Sequence, residues 1–261
     1  MSNVKIAEIK NEFENTKMEE YEKLFEKYSS DQRVGVIKLL DTYRKKRQAY
    51  HDEIARMYQM FEFERKYADF ENICGVDEVG RGPLAGPVCA GAVILPKTCE
   101  ILYLNDSKQL SEKKREELYI RITHEAIAYK TAFVSHEIID EINILQATYR
   151  AMQTAIGSLS VQPDVLLNDA VNIPQMKMKQ VAIIKGDARS ASIAAASIIA
   201  KVERDRLMEE FDEIYPEYGF AANKGYGSKQ HIEAIKEYGP SPIHRLTFLK
   251  EDWIPKIFKY Q

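Results

Sequence analysis

The chain has 261 residues, 45% of them hydrophobic and 30% charged, enough for one sizeable core plus a small second unit and too apolar for disorder. With 37 basic against 40 acidic residues the net charge is −3, which excludes coating of nucleic acid through bulk positive charge and leaves room for a local basic groove. Cys74, Cys89 and Cys99 lack Cys-x-x-Cys spacing and no run approaches the roughly 18 apolar residues of a membrane span, so a reducing, cytoplasmic setting is expected without membrane, disulfide framework or thiolate zinc.

All nine prolines and eleven of the twelve glycines lie after residue 70, which places a domain boundary near Phe70. Residues 1–70 carry 14 basic and 14 acidic side chains and read as a small all-helical unit, with apolar spacing at Tyr21, Leu24 and Tyr28 and again at Tyr50, Ile54, Met57 and Phe61. Ser29, Ser30 and Asp31 mark a break and together offer an N-cap. Arg44, Lys45, Lys46 and Arg47 form a cationic run, read either as a solvated helix face or as a phosphate contact.

Residues 71–261 change to short β-rich runs separated by helices, ending in a helical segment. ICGV at 73–76 and VCAGAVIL at 88–95 read as paired strands joined by a glycine-rich turn. Ser111 caps a helix to about Glu125, and a strand follows near Tyr129–Val134. Ile142, Leu145, Tyr149, Met152, Ile156 and Leu159 alternate spacings of three and four, the mark of an amphipathic helix. VLL at 165–167 and VAII at 181–184 read as strands buried on both faces. An alanine-rich helix then runs from Ser190 to about Tyr215, and another starts at Ser228. This order predicts a three-layer α/β domain with a mixed sheet, antiparallel first and parallel later.

Four acids, Asp77, Glu78, Asp169 and Asp187, fall where a predicted strand ends or a helix begins, which is where α/β folds place ligands. Singly, each has a bland role as turn, cap or solvated residue. Gathered at one sheet edge, they repel unless a cation lies between them, and oxygen ligands alone favour Mg²⁺ or Mn²⁺. The run Gly80-Arg81-Gly82-Pro83-Leu84-Ala85-Gly86 is similar to a dinucleotide loop, which keeps a nicotinamide-dependent oxidoreductase as a rival. Pro83, Pro87 and the β-rich run that follows argue against the helix such a loop must open.

DEVGRGPLAGPV at 77–88, DSKQLS at 106–111, KGDARSASIAAASIIAKVERDRLM at 185–208, NKGYGS at 223–228 and GPSPIHRLTF at 239–248 closely resemble bacterial ribonuclease HII. The resemblance spans residues 72–249. It implies an RNase H-like fold whose acidic quartet, Asp77, Glu78, Asp169 and Asp187, binds two divalent ions, Mn²⁺ or Mg²⁺. The partners it implies are RNA–DNA hybrids, whose RNA strand is cut, and duplex DNA carrying ribonucleotides. The family's glycine motif falls on Gly80, Arg81 and Gly82, and its junction-sensing tyrosine on Tyr226. The sister family, ribonuclease HIII, typically has threonine at the middle of that motif, so Arg81 favours HII. Asn168 departs from the aliphatic residue of many relatives, which also allows a plain Asn-Asp turn at Asp169. Lys108, Lys224, Ser190 and Ser192 are further candidates for phosphate contact, Lys185 and Lys201 weaker ones, and His231 and His244 are read as either structural or functional. A monomer is expected. A non-catalytic hybrid-binding protein is the second rival, but such a protein has no need of four acids at strand ends.

Overall fold

The computed structural model describes residues 4–255, which form two units, one ending at Gln59 and the other beginning at Met60. In the first unit, helices α1 (Ile6–Glu14), α2 (Tyr21–Tyr28) and α3 (Val34–Met60) surround an aromatic core of Phe13, Tyr21, Phe25, Tyr28 and Tyr43. Phe13 is its hub, stacked on Tyr43 at 4.3 Å between ring centroids and edge-on to Tyr21 at 5.1 Å. The break after Tyr28 falls as predicted. Asp31, however, spends its carboxylate on the Arg33 backbone N–H and guanidinium, two residues along.

The boundary lies earlier than the Phe70 expected from composition. Helix α4 (Glu62–Lys66) and the residues after it belong to the second unit, because Phe63, Tyr67 and Phe70 pack against Ile73, Val165, Leu167, Ile183 and Ile193. Proline and glycine mark where strands begin. They do not mark where the core begins, and here a helix contributes to that core before the first strand.

The second unit is built on a five-stranded mixed sheet of order β3-β2-β1-β4-β5. Strands β1 (Ile73–Val79), β2 (Val88–Ile94) and β3 (Ala128–Val134) are antiparallel neighbours; β4 (Val165–Asp169) and β5 (Lys179–Ile183) join β1 in parallel. Between β2 and β3 lies α5 (Glu112–Glu125), capped by the Ser111 hydroxyl accepting from the Lys114 N–H. Helix α6 (His136–Gly157) packs on β2 and β3; α7 (Ala191–Ile214) packs on β1 and β2, with α5 against it. The three-layer α/β arrangement with a mixed sheet predicted from the element order is therefore present. Short α8 (Phe220–Asn223) and α9 (Lys229–Tyr238) follow.

Two predicted elements differ in detail. β5 is an edge strand: Val181 is half-buried, Ala182 is exposed and Ile184 beyond it is 73% exposed, so the apolar run is not covered on both faces. In α6 the residue Asn143 takes left-handed backbone angles (φ 68°), and its Oδ1 accepts from the Leu145 and Gln146 N–H groups, restarting the helix at a kink. Leu145 consequently points to solvent, and Ala147, Ala151, Met152, Ala155 and Ile156 face the sheet.

What positions the site is the contact between α7 and the sheet. A Cβ added to Gly75 on β1 would lie 2.0 Å from the Ser192 carbonyl carbon, and one on Gly91 of β2 would lie 2.4 Å from the Ala196 oxygen. Glycine beneath and the small Ser192 and Ala196 above let helix and strands approach to backbone contact. Ser197, one turn further along α7, is thereby set against Asp77.

Candidate active site

Period-two alternation on β1 sends Cys74 and Val76 into the apolar layer under α6, and Gly75 and Asp77 toward α7. Asp77 is 6% exposed. The Ser197 hydroxyl hydrogen-bonds its carboxylate, and because that hydroxyl donates to Asp77, Ser107 donates to Ser197 across their 3.0 Å contact. Burial, then the Glu78 and Asp169 carboxylates, hold Asp77 well above the usual carboxylate range. Glu78 is also raised by burial, with Asp169 adding to the shift, while the guanidinium of Arg81 at 3.3 Å opposes it.

Asp169 is the last residue of β4, paired with Ile183 of β5, and its Oδ1 accepts the Gly186 N–H at 2.7 Å. The plain-turn reading of Asn168-Asp169 falls with this: Asn168 is a buried strand residue whose amide donates to the Gln180 side chain. Asp187 lies in the 3-10 turn Gly186–Ala188 after β5, raised by burial and by Asp106 and Asp169. The four acids thus meet at the same end of adjacent parallel strands. Asp106 is a fifth acid of the group; it caps the turn Ser107–Gln109 by accepting the Lys108 N–H. Its only sequence signal was position inside the matched DSKQLS block.

Lys108 binds this cluster to the rest of the site. Burial alone lowers an ammonium, yet Asp106, Asp77 and Asp187 hold Lys108 above its ordinary value, and Tyr226 contributes in the same direction. One side chain therefore feels two of the quartet and the predicted junction tyrosine. Tyr226 is 41% exposed, and its ring lies 3.6 Å from where a Gly82 Cβ would stand. The predicted glycine motif and Tyr226 are neighbours in space.

The loop after β1 opens no helix. Gly80 (φ 89°) and Gly86 (φ 80°) take angles that favour glycine, and the chain passes directly from the loop into β2, so the dinucleotide reading is overturned. Arg81 and Gly82 are exposed at its tip.

Other candidates lie elsewhere or are already engaged. Ser190 and Ser192 are buried: the Ser190 hydroxyl and the Ser192 N–H both donate to Glu64 Oε1, at 2.7 and 2.9 Å. A carboxylate of this chain therefore already occupies the start of α7 that phosphate was expected to use. Lys224 is ion-paired with Glu209, and Lys201 with Asp205 at 2.7 Å, while Lys185 is exposed with left-handed backbone angles. In the first unit Arg44 pairs with Asp41 and Arg47 with Glu22, so half of the cationic run is compensated.

Among the described residues no three acidic, histidine or cysteine side chains stand close enough to enclose an ion by themselves. The donor set still suits a hard divalent cation. Carboxylates supplied in ones and twos leave coordination positions for water and phosphate oxygens, as Mg²⁺ and Mn²⁺ sites on phosphate substrates require. Asp77, Glu78 and Asp187 are raised first by burial and then by neighbouring carboxylates, and a bound cation would offset both.

Fold and acidic site together define a nuclease of the RNase H type. The ribonuclease HII family profile matches residues 74–253 and the ribonuclease HII N-terminal domain matches residues 5–68. Ribonuclease HII of Lachnoclostridium phytofermentans is 59% identical over 248 residues, covering 95% of this chain and 98% of that protein. Ribonuclease HII of Caldanaerobacter subterraneus is 55% identical over 201 residues, covering 76% and 83%. The crystal structure of ribonuclease H2 from Pyrococcus horikoshii superposes with a TM-score of 0.57 at 30% identity over 67% of this chain and 93% of that one. A ribonuclease HIII solved with Mn²⁺ shares the fold alone, at 16% identity and a TM-score of 0.53 over 68% and 67%. The chain belongs to the ribonuclease HII family: it is a hydrolase, a metal-dependent endoribonuclease acting on RNA–DNA hybrids. Among the described residues no helix is long and apolar enough to cross a membrane.

Proposed function

We propose that this enzyme, besides cutting the RNA strand of hybrids, incises duplex DNA on the 5′ side of an embedded ribonucleotide and leaves 5′-phosphate and 3′-hydroxyl ends. The observation that carries this reading is the adjacency of two unlike features. A partly buried group of acids suited to phosphodiester hydrolysis lies beside an exposed glycine loop and tyrosine in mutual contact, with Lys108 sensing both.

Asp77, Glu78, Asp169 and Asp187 are the metal ligands in this reading, with two Mg²⁺ or Mn²⁺ ions. Ions held by these four carboxylates would supply Lewis-acid activation of water and charge stabilisation at the leaving 3′ oxygen of an in-line displacement. Ser197 fixes the Asp77 carboxylate and the Gly186 N–H fixes that of Asp169, so neither has to be ordered when substrate arrives. Lys108 offers an ammonium to the phosphate. Selectivity must come from groups that sense the 2′-hydroxyl, because that group separates RNA from DNA. The backbone of Gly80, Arg81 and Gly82 offers donors and acceptors unobstructed by side chains, and Tyr226 offers a hydroxyl and a ring to pack on the next sugar. Lys224 is left a weaker phosphate role through its pair with Glu209. All these groups come from one chain, which supports action as a monomer, and the free Cys74, Cys89 and Cys99 accord with a cytoplasmic enzyme.

The test is a labelled duplex containing one ribonucleotide, incubated with the protein and Mg²⁺ or Mn²⁺. A single cut on the 5′ side of the ribonucleotide with a 5′-phosphate product is expected. Cutting confined to long hybrids would leave only the broader activity.

A further inference from the structure

Two adjacent residues of the C-terminal segment, His244 and Arg245, are buried although both are polar. Neither touches a carboxylate. Arg245 spends its guanidinium on three carbonyls of the glycine loop: Nη2 donates to Gly80 O at 2.6 Å, Nη1 to Arg81 O at 3.0 Å and Nε to Gly86 O at 2.9 Å. The peptides are trans, so a carbonyl turned toward Arg245 turns the next N–H away from it. The Arg81 and Gly82 N–H groups are thereby presented on the exposed side of the loop.

His244 reaches the other loop through a second imidazole. Its Nδ1 lies 2.9 Å from the Ser241 N, which can only donate, so that nitrogen is the acceptor. The Tyr226 carbonyl, 2.9 Å from His231 Nδ1, can only accept, so His231 Nδ1 carries a proton. Between the rings, 2.9 Å from Nε2 to Nε2, the one proton that completes both neutral rings belongs to His244. The chain of donors runs in one direction, from Ser241 through His244 and His231 to Tyr226. Both rings are held neutral: burial depresses His231, and burial with the neighbouring ring depresses His244 to about 3. Backbone contacts tie the same three segments, with Arg245 N donating to Leu84 O and Leu84 N to Gly225 O, both at 2.8 Å.

We propose that His244 and Arg245 form a two-armed brace that sets the glycine loop and the Tyr226 loop at a fixed separation, making both positioning residues for recognition of the ribonucleotide. The proposal rests on the reading of Gly80–Gly82 and Tyr226 as the groups that sense the 2′-hydroxyl. The brace touches no substrate. It acts by holding two surfaces, each useless without the other, at the spacing a single sugar requires.

A double-mutant cycle between His244 and Tyr226 tests it, using the full chain and a duplex with one embedded ribonucleotide. His244→Phe preserves the aromatic packing on Tyr218 and Phe220 while removing the donor to His231. It should lower kcat/KM by about tenfold in the wild-type background and by less than about twofold in Tyr226→Ala, because misplacing an absent ring costs nothing further. His244→Gln, whose amide nitrogen can reach His231, should recover most of the loss. Equal losses in both backgrounds would show a merely structural role and overturn the brace while leaving Tyr226 as sensor. A silent Tyr226→Ala would overturn the sensor reading and the brace with it. Should the phenyl variant fail to fold, His231→Asn cuts the same link while keeping a donor toward the Tyr226 carbonyl, and the same coupling is required of it.

Discussion

The two units solve the problem of a core in opposite ways. In the helical unit the interior is aromatic and aliphatic, and its charges sit on the surface in pairs such as Lys27–Glu12 and Arg44–Asp41. Among the described residues, tyrosines aside, every buried polar or charged side chain, from Asp77 to Arg245, lies in the catalytic unit. Buried charge opposes folding unless it is fully bonded, so its confinement to one unit marks where structure serves chemistry.

The largest break in the comparison should come from the buried acid. Asp77→Asn is expected to lower turnover by about a thousandfold or more, while a melt of the metal-free protein shows equal or greater stability. Near-normal rates would remove Asp77 from the site. Next, Arg204 donates to the carbonyls of Pro87, Lys224 and Ala85, so Arg204→Met should cost about 3 kcal/mol or more by leaving three buried acceptors unpaired. The exposed pair Arg44–Asp41 of the helical unit should lose less than about 1 kcal/mol on Arg44→Ala. Urea melts of the two variants settle whether the contrast between units is energetic or only geometric.

The boundary gives a finer test. A fragment of residues 60–261 retains Glu64 at the start of α7, and one of residues 72–261 does not; the shorter should be less stable by at least about 2 kcal/mol. Equal stability would return the boundary to Phe70. Acid pH sharpens the comparison further. His231 and His244 bind protons less readily folded than unfolded, where the ordinary value is 6.5, so the stability they contribute is present above pH 6.5 and is lost as pH falls below it. His244→Gln should flatten that acid limb in melts of the catalytic unit. The smallest effect is expected from neutralising Arg44 to Arg47: with two of the four already paired, the salt slope of hybrid binding should change by less than about 0.9, the value of one phosphate contact.

The strands, the helices capped by Ser111, Ser190 and Ser228, and the position of the four acids at strand ends were legible because each leaves a local trace: alternation, a cap, or a carboxylate at the end of an apolar run. The glycine motif and Tyr226 needed the resemblance, since nothing local brings residue 82 to residue 226. Arg204 and Arg245 stayed hidden for a physical reason. An arginine in sequence reads as surface, and most of the carbonyls that justify the burial of these two lie more than a hundred residues away. Ser190 and Ser192 misled because a helix start receives phosphate and carboxylate by one geometry, and here Glu64 fills it. The family profiles, ending at 68 and starting at 74, meet around Phe70, whereas packing divides the chain at Gln59, because composition records strands and not packing.

The backbone contact of α7 with Gly75 and Gly91 carries a consequence for inheritance. One added methyl at Gly75 must push the strand that bears Asp77 away from the helix that bears Ser197, and one at Gly91 must push away the neighbouring strand paired with it. A random mutational screen scored by nuclease activity would therefore return Gly75 and Gly91 as intolerant as the acids, although neither offers a single reactive atom. A lineage could drift freely along the solvent face of α5 and still be unable to exchange these two hydrogens for anything larger. The smallest side chains in the protein fix the coordinates of its most charged ones.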